Sequence, residues 1–260
     1  MVRSIYDYPA IFRRVHMEEP GEIEAETAFM GDIWRRHLAR PVRKLLDIGC
    51  GDSPHGRMLI DGGIDVVGID SSPIMIAAGR ALSGGRIRFY RRGFERFRIP
   101  EGNFDAAILM SETFPVMYTN AALIGHLRSV GRTLRRGGIY CVDIDRHSGV
   151  EIVRRRRKLW RERTVRIGDI KVDVREFNRP ITWDAGLHSI YQLECRIKFP
   201  DGRAVTTNDR IPVRYLVPPT LELAAGASGC FDLVASYADL SMTKPMRRCY
   251  GRWWGVMRRR

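Results

Sequence analysis

Leu45-Leu-Asp-Ile-Gly-Cys-Gly-Asp-Ser-Pro54 is the stretch on which the reading of the whole chain turns. An apolar run enters two closely spaced glycines, and Pro54 follows where a helix can open at its first position. Glycines at such a place let the backbone turn sharply and approach a ligand at the carboxyl edge of a strand. The next apolar run, Val66-Val-Gly-Ile-Asp70, ends on a carboxylate 23 residues after Asp47. A carboxylate there can accept hydrogen bonds from both ribose hydroxyls of an adenosine cofactor.

The charges around the glycines narrow the choice of cofactor. A dinucleotide fingerprint G-x-G-x-x-G requires glycine at position 54, where this chain has proline. Asp47 and Asp52 flank the glycines, where they would repel a pyrophosphate and suit a cation. S-adenosylmethionine carries an ammonium and a sulfonium and no phosphate, so the Coulomb signs favour it. The chain has no G-x-x-x-x-G-K-[ST] string, which excludes a nucleoside-triphosphate P-loop.

Working outward, strand-like and helical stretches alternate from Arg43 to about Asp145, with KLLDIG, DVVGID, RIRFY, FDAAILM and IYCVDI as the strands. That alternation predicts a parallel, doubly wound α/β sheet. Ahead of it, Glu22–His37 has helical periodicity. Ala121–Leu134 is the clearest helix, with Leu123, Leu127, Val130 and Leu134 on one stripe. Arg135-Arg136-Gly137-Gly138 is expected to end it, and His126 to face solvent. After Gly149 the character changes: Trp160 to Thr207 alternates apolar and polar residues, with a hairpin signal at Pro200-Asp201-Gly202. This predicts an antiparallel β insertion, then a helix near Pro219–Ala227 and two strands, Phe231–Tyr237 and Arg252–Met257, returning to the main sheet.

DIGCG at Asp47–Gly51, GIDSS at Gly68–Ser72, FDAAIL at Phe104–Leu109 and LRRGG at Leu134–Gly138 occur in one order and spacing. This series resembles the successive motifs of class I S-adenosylmethionine-dependent methyltransferases. The layout is similar to bacterial small-molecule N- and O-methyltransferases, including those acting on amino sugars. The resemblance implies a Rossmann-like seven-stranded sheet with its last strand antiparallel. It also implies an N-terminal helical lid (1–40), a cofactor-binding core (41–150), a β cap over the acceptor and the carboxyl edge of the sheet (151–215), and a closing segment (216–260). Carried over, Asp47, Gly49, Cys50 and Gly51 hold the methionine end of the cofactor, and Asp70 with Ser71 the ribose. Many members have an Asp after the third strand that contacts the adenine amine. Here that place falls on Gly93, so backbone groups at Gly93 and Phe94, or Glu95, are expected to substitute, with Met110 completing the cofactor's surroundings.

Methyl transfer from a sulfonium chiefly needs alignment, desolvation and sometimes a general base. Glu112, after the fourth strand, could orient or deprotonate an amine, or be a solvated loop carboxylate. His147, after the fifth, could be a general base or an ordinary surface histidine. Tyr6 and Tyr8 sit in the lid-like N-terminal segment, where their phenols could reach the cofactor carboxylate and the acceptor, or simply pack. Trp183 and His188, in the insertion, either line an acceptor pocket or pack in the sheet.

Composition bounds the partners. The 260 residues carry 44 Lys plus Arg against 30 Asp plus Glu, a net charge of +14. Such a charge attracts polyanions, yet only five of the cations are lysine, which fits a genome-wide bias equally well. The longest basic run is Arg154–Lys158, and Arg258–Arg260 is expected to fray. A small-molecule acceptor is therefore expected ahead of RNA, and a catalytically silent S-adenosylmethionine-binding protein of the same fold is the other alternative, supported by the missing adenine Asp alone. Five scattered cysteines predict reduced thiols in a cytoplasmic protein, without a zinc site. No apolar stretch approaches the roughly 18 residues of a membrane helix.

Overall fold

The computed structural model describes residues 4–16, 21–144, 158–178, 188–244, 246 and 252–260. They divide between two compact units, the larger made of described residues in 21–148 and 216–260, the smaller of those in 1–20 and 149–215.

The larger unit is built on strands β1 (Lys44–Ile48), β2 (Asp65–Asp70), β3 (Arg88–Arg91), β4 (Phe104–Leu109), β5 (Leu134–Ile144), β10 (Phe231–Ala238) and β11 (Trp253–Arg259). Their spatial order is β10-β11-β5-β4-β1-β2-β3. The pairs β1–β2, β1–β4, β2–β3 and β4–β5 are parallel, and β11 runs antiparallel to both neighbours. The seven-stranded sheet implied by the motif series is therefore present, and its reversed strand is an interior one. Alternate residues of each strand enter opposite cores: Leu46, Ile48 and Trp253 on one face, Leu45, Val66 and Trp254 on the other. Period-two alternation with both faces covered is what makes these strands near-continuous apolar runs.

Helices α2 (Glu22–His37), α3 (Pro54–Asp61), α4 (Pro73–Leu82), α5 (Asn120–Thr133) and α6 (Pro218–Ser228) belong to this unit. Pro54 and Pro73 stand in the first turns of their helices, where a missing N–H costs nothing. Thr119 caps α5 by accepting from the Ala122 N–H. The α5 terminus differs from expectation. The helix stops at Thr133 and Leu134 already opens β5, opposite Phe104, before the register shifts. Arg135–Gly138 thus forms a strand irregularity and does not end the helix. A Cβ on Gly138 would stand 2.9 Å from the Arg135 carbonyl oxygen and 3.2 Å from that of Asp105. The C-terminal arginines do not fray either. Arg258 donates to the His37 carbonyl, Arg259 to that of Leu134, and Arg260 pairs with Asp232 at 2.6 Å.

The smaller unit is an antiparallel meander of β6 (Lys158–Ile167), β7 (Ile170–Asn178), β8 (His188–Lys198) and β9 (Ala204–Arg214). The expected hairpin is there, with Gly202 at φ +82°. One face buries Val165, Val172, Val174, Leu193, Cys195 and Ile197 against Ile5, Ile11 and Val15 of a 3₁₀ turn (Ile5–Asp7) and α1 (Pro9–His16). Asp209 of β9 fixes this segment by accepting from Ser4 Oγ (2.6 Å) and the Ile5 N–H (2.9 Å). The first forty residues are thus shared between the units: residues 4–16 cover the four-stranded sheet, and α2 packs on the seven-stranded one.

Candidate functional site

The carboxyl ends of β1 and β2 lie side by side, as parallel strands numbered outward from the centre require. Gly49 and Gly51 have φ of +58° and +56°, a region that favours glycine. No heavy atom lies within 4 Å of where a Cβ on Gly51 would stand, so the loop leaves an open cradle there. Asp70 closes one side, accepting from the Gly51 N–H (2.9 Å) and the Ser72 N–H (2.7 Å). Burial raises its pKa, while amide bonds from Ser72, Gly51 and Ser71 hold it down. Cys50 turns inward against Gly68, and Met110 is buried in the core, so each presents only main chain to a ligand. Burial pushes the Cys50 thiol well up.

Asp47 lies beneath the loop, buried, accepting from Ser53 Oγ at 2.6 Å. Burial pushes its carboxyl up to about 6, with Ser53 and His55 opposing and Asp70 and Asp52 reinforcing. The folded state therefore keeps a proton there that the unfolded chain loses near pH 4, and this contribution to stability falls as pH rises from about 4 to about 6. Asp47→Asn removes that titration. Its stability relative to the parent should grow across this window and then level off, as read by thermal unfolding at a series of pH values. A constant difference from pH 4 to 7 would contradict the assignment.

Two further segments reach the glycine loop. The ideal Cβ position of Gly49 is 3.4 Å from the Thr113 methyl and 3.9 Å from the Phe94 ring. Gly93 is exposed, with open space about its Cα. After β4, Ser111 and Glu112 both have positive φ, +57° and +55°. Two consecutive non-glycine residues in that region are strained, and such strain concentrates at functional turns. The Glu112 N–H donates to Asp143 Oδ2 (3.1 Å) at the end of β5. The Glu112 side chain is exposed and contributes to holding Arg252 protonated.

Behind these loops lies a charged network that sequence reasoning missed. Glu26 of α2 bonds His55 of α3 at 2.5 Å and pairs with Arg252. Arg252 donates through Nε to Asp143 (2.7 Å) and approaches Glu22 at 3.6 Å. Glu26, His55 and Asp143 are all buried. Burial acts first on Glu26 and would raise its pKa, but His55 and Arg252 outweigh it and leave the carboxyl below its ordinary value. For Asp143 burial wins and the pKa rises.

Among the expected site residues, the structure brings together Asp47, Gly49, Cys50, Gly51, Asp70, Ser71 and Phe94, with Glu112 one strand over. His147, Trp183 and the Arg154–Arg157 run lie outside the described residues, as does the side chain of His188. Tyr6 and Tyr8 belong to the smaller unit, where they pair with Phe12 (4.7 Å between centroids) and Phe199 (6.3 Å). His126 is not at the surface. It is fully buried, because it lies three residues after Leu123 and four before Val130, on the same inward stripe.

The donor set fits S-adenosylmethionine: glycines leave a cradle, the Asp47 and Asp70 carboxylates adjoin it with a charge that suits hydroxyl donors and a cation, and the loop carries no cation for a pyrophosphate. Comparison with known proteins agrees. Residues 45–138 match the methyltransferase domain family. Over 93 residues the chain is 40% identical to an uncharacterized methyltransferase of Schizosaccharomyces pombe, covering 35% of this chain and 32% of that one. It is 34% identical over 127 residues to the tRNA U34 carboxymethyltransferase of Shewanella denitrificans, covering 45% and 37%. The matches therefore span about a third of these relatives' lengths. In three dimensions the chain is similar to CalS10 of Micromonospora echinaspora, an amino pentose methyltransferase solved with S-adenosylmethionine. The TM-score is 0.71 at 16% identity, covering 100% of this chain and 98% of that one.

Proposed function

Since residues 45–138 are a methyltransferase domain and S-adenosylmethionine is its cofactor, we propose that the chain moves a methyl group to a nitrogen or oxygen of a small-molecule acceptor. The observation that carries this is the second sheet. The described residues of 158–178 and 188–214 build four antiparallel strands beyond what a cofactor fold needs, and the likeness to the amino pentose enzyme runs the full length of the chain. When bound, the cofactor supplies an activated methyl group, and the protein supplies alignment and dryness. Asp70 binds the ribose hydroxyls, Gly49 and Gly51 admit the methionine end, and Asp47 offsets its ammonium. Glu112, on its strained turn, orients an acceptor amine or takes its proton in this reading.

RNA is the second reading, favoured by the tRNA-modifying relatives and the +14 charge. Against it, several of the described arginines already stand against an acid: Arg86 against Asp61, Arg88 against Asp65, Arg135 against Asp105 and Arg260 against Asp232. Tritium transfer from methyl-labelled cofactor should mark the metabolite fraction of a cell extract and leave total RNA blank. Label at a single RNA position would overturn the proposal. RNA affinity should also stay weak and lack the roughly 10³–10⁵-fold loss between 50 and 200 mM salt that a 6–10 phosphate footprint produces.

A further inference from the structure

His126 of α5 makes two short hydrogen bonds in the core, Nδ1 to the Phe94 carbonyl oxygen and Nε2 to the Tyr140 hydroxyl, both 2.6 Å. A carbonyl only accepts, so Nδ1 carries the proton, and Nε2 accepts from the Tyr140 O–H. Burial pushes the His126 pKa down to about 4, so near neutral pH the ring is an uncharged donor and acceptor of fixed sense. One turn on, Ser129 Oγ accepts from the Phe97 N–H at 3.3 Å and donates to the Gly125 carbonyl at 2.9 Å. One face of α5 therefore grips the irregular segment 94–97 at two main-chain points.

That grip has a directional result. The peptide joining Phe94 and Glu95 is trans and planar, so its N–H points opposite to its carbonyl. With the Phe94 carbonyl held inward by His126, the Glu95 N–H is turned away from α5. Among the described residues, no protein acceptor is recorded for the N–H groups of Gly93, Phe94 or Glu95. Gly93 and Glu95 are exposed, and the Phe94 ring stands beside Gly49 of the cradle.

Resting on the S-adenosylmethionine reading above, we propose that His126 is a positioning residue for base recognition: by fixing the Phe94 carbonyl it presents main-chain N–H donors to the adenine ring, in place of the carboxylate that Gly93 lacks. Donors select a ring nitrogen bearing a lone pair. Adenine offers one at N1, whereas hypoxanthine carries a proton there. The chain should therefore discriminate between S-adenosylhomocysteine and S-inosylhomocysteine, and His126 should set the ratio.

Calorimetry with both ligands tests this. His126→Phe fills the space without either bond and should lower the adenine-to-hypoxanthine affinity ratio by roughly three- to tenfold, the worth of one net hydrogen bond. His126→Asn can still donate to the Phe94 carbonyl and should restore most of the ratio. Tyr140→Phe leaves that bond in place and should keep it. Ser129→Ala, which frees the Phe97 N–H, should lower the ratio less and serves if the Phe variant does not fold. A purely structural histidine would weaken both ligands alike, so an unchanged ratio in His126→Phe, or in Ser129→Ala where that variant stands in, overturns the proposal. If neither ligand binds the parent chain, it is the cofactor reading that fails.

Discussion

Replacing Arg252 by methionine should cost about 3–5 kcal/mol of folding stability, the usual penalty for removing one partner of a buried ion pair. The Asp143 and Glu26 side chains are 0% and 3% exposed, and both face this one guanidinium. Methionine fills the volume but takes the guanidinium from both carboxylates, leaving Asp143 without a cation and Glu26 with its bond to His55 alone. Arg252→Lys keeps the charge while losing the fork that reaches both acids, so its cost should be intermediate. Chemical denaturation of the two variants gives the comparison. Adding Glu26→Gln to Arg252→Met should recover part of the loss, since one stranded charge is then gone. A loss under 1 kcal/mol in the single variant would mean that water reaches the network and screens it. The loss should also reach the site, because Asp143 receives the Glu112 N–H and His55 stands two residues after Ser53.

Asp70→Ala should weaken S-adenosylhomocysteine binding by about 10- to 150-fold. A charge-assisted hydrogen bond contributes on the order of 1.5–3 kcal/mol, and each 1.4 kcal/mol is tenfold in affinity. Asp70 also accepts from the Gly51 N–H, so its removal loosens the cradle and pushes the effect to the upper part of that range. Asp70→Asn retains one acceptor oxygen and should fall between. Calorimetric titration is the measurement, and unchanged affinity in the alanine variant would remove Asp70 from the ribose assignment.

What could be read from the sequence is whatever depends on neighbours along the chain. The glycine loop, the carboxylate ending β2, Pro54 in the first turn of α3 and the two buried tryptophans of β11 each announce themselves in five to ten residues. His126 was legible in principle, since its spacing from Leu123 and Val130 places it inward; its polarity suggested otherwise, and only a carbonyl and a hydroxyl from other segments make its burial tolerable. The network of Glu26, His55, Asp143 and Arg252 draws on four distant stretches, with no pattern in any of them. The same holds for the N-terminal segment, whose anchor on Asp209 lies 205 residues from Ser4. Nothing within that segment names the sheet it covers.

The place of β11 bears on how the chain is made. It is the last of the described strands to be synthesised, yet it lies between β5 and β10, and Arg252 at its start meets Asp143 across 109 residues of chain. Trp253 seals one core and Trp254 the other. Until this strand emerges from the ribosome, the flank of β5 has no partner, and β10 has nothing to join. The local hairpins of the four-stranded sheet can form early, and by compacting the intervening segment they shorten the loop that must close. The nascent chain therefore carries the flank of β5 as an open edge while the 109 residues between Asp143 and Arg252 are made, a template for association with other chains, and β11 is the strand that closes that flank.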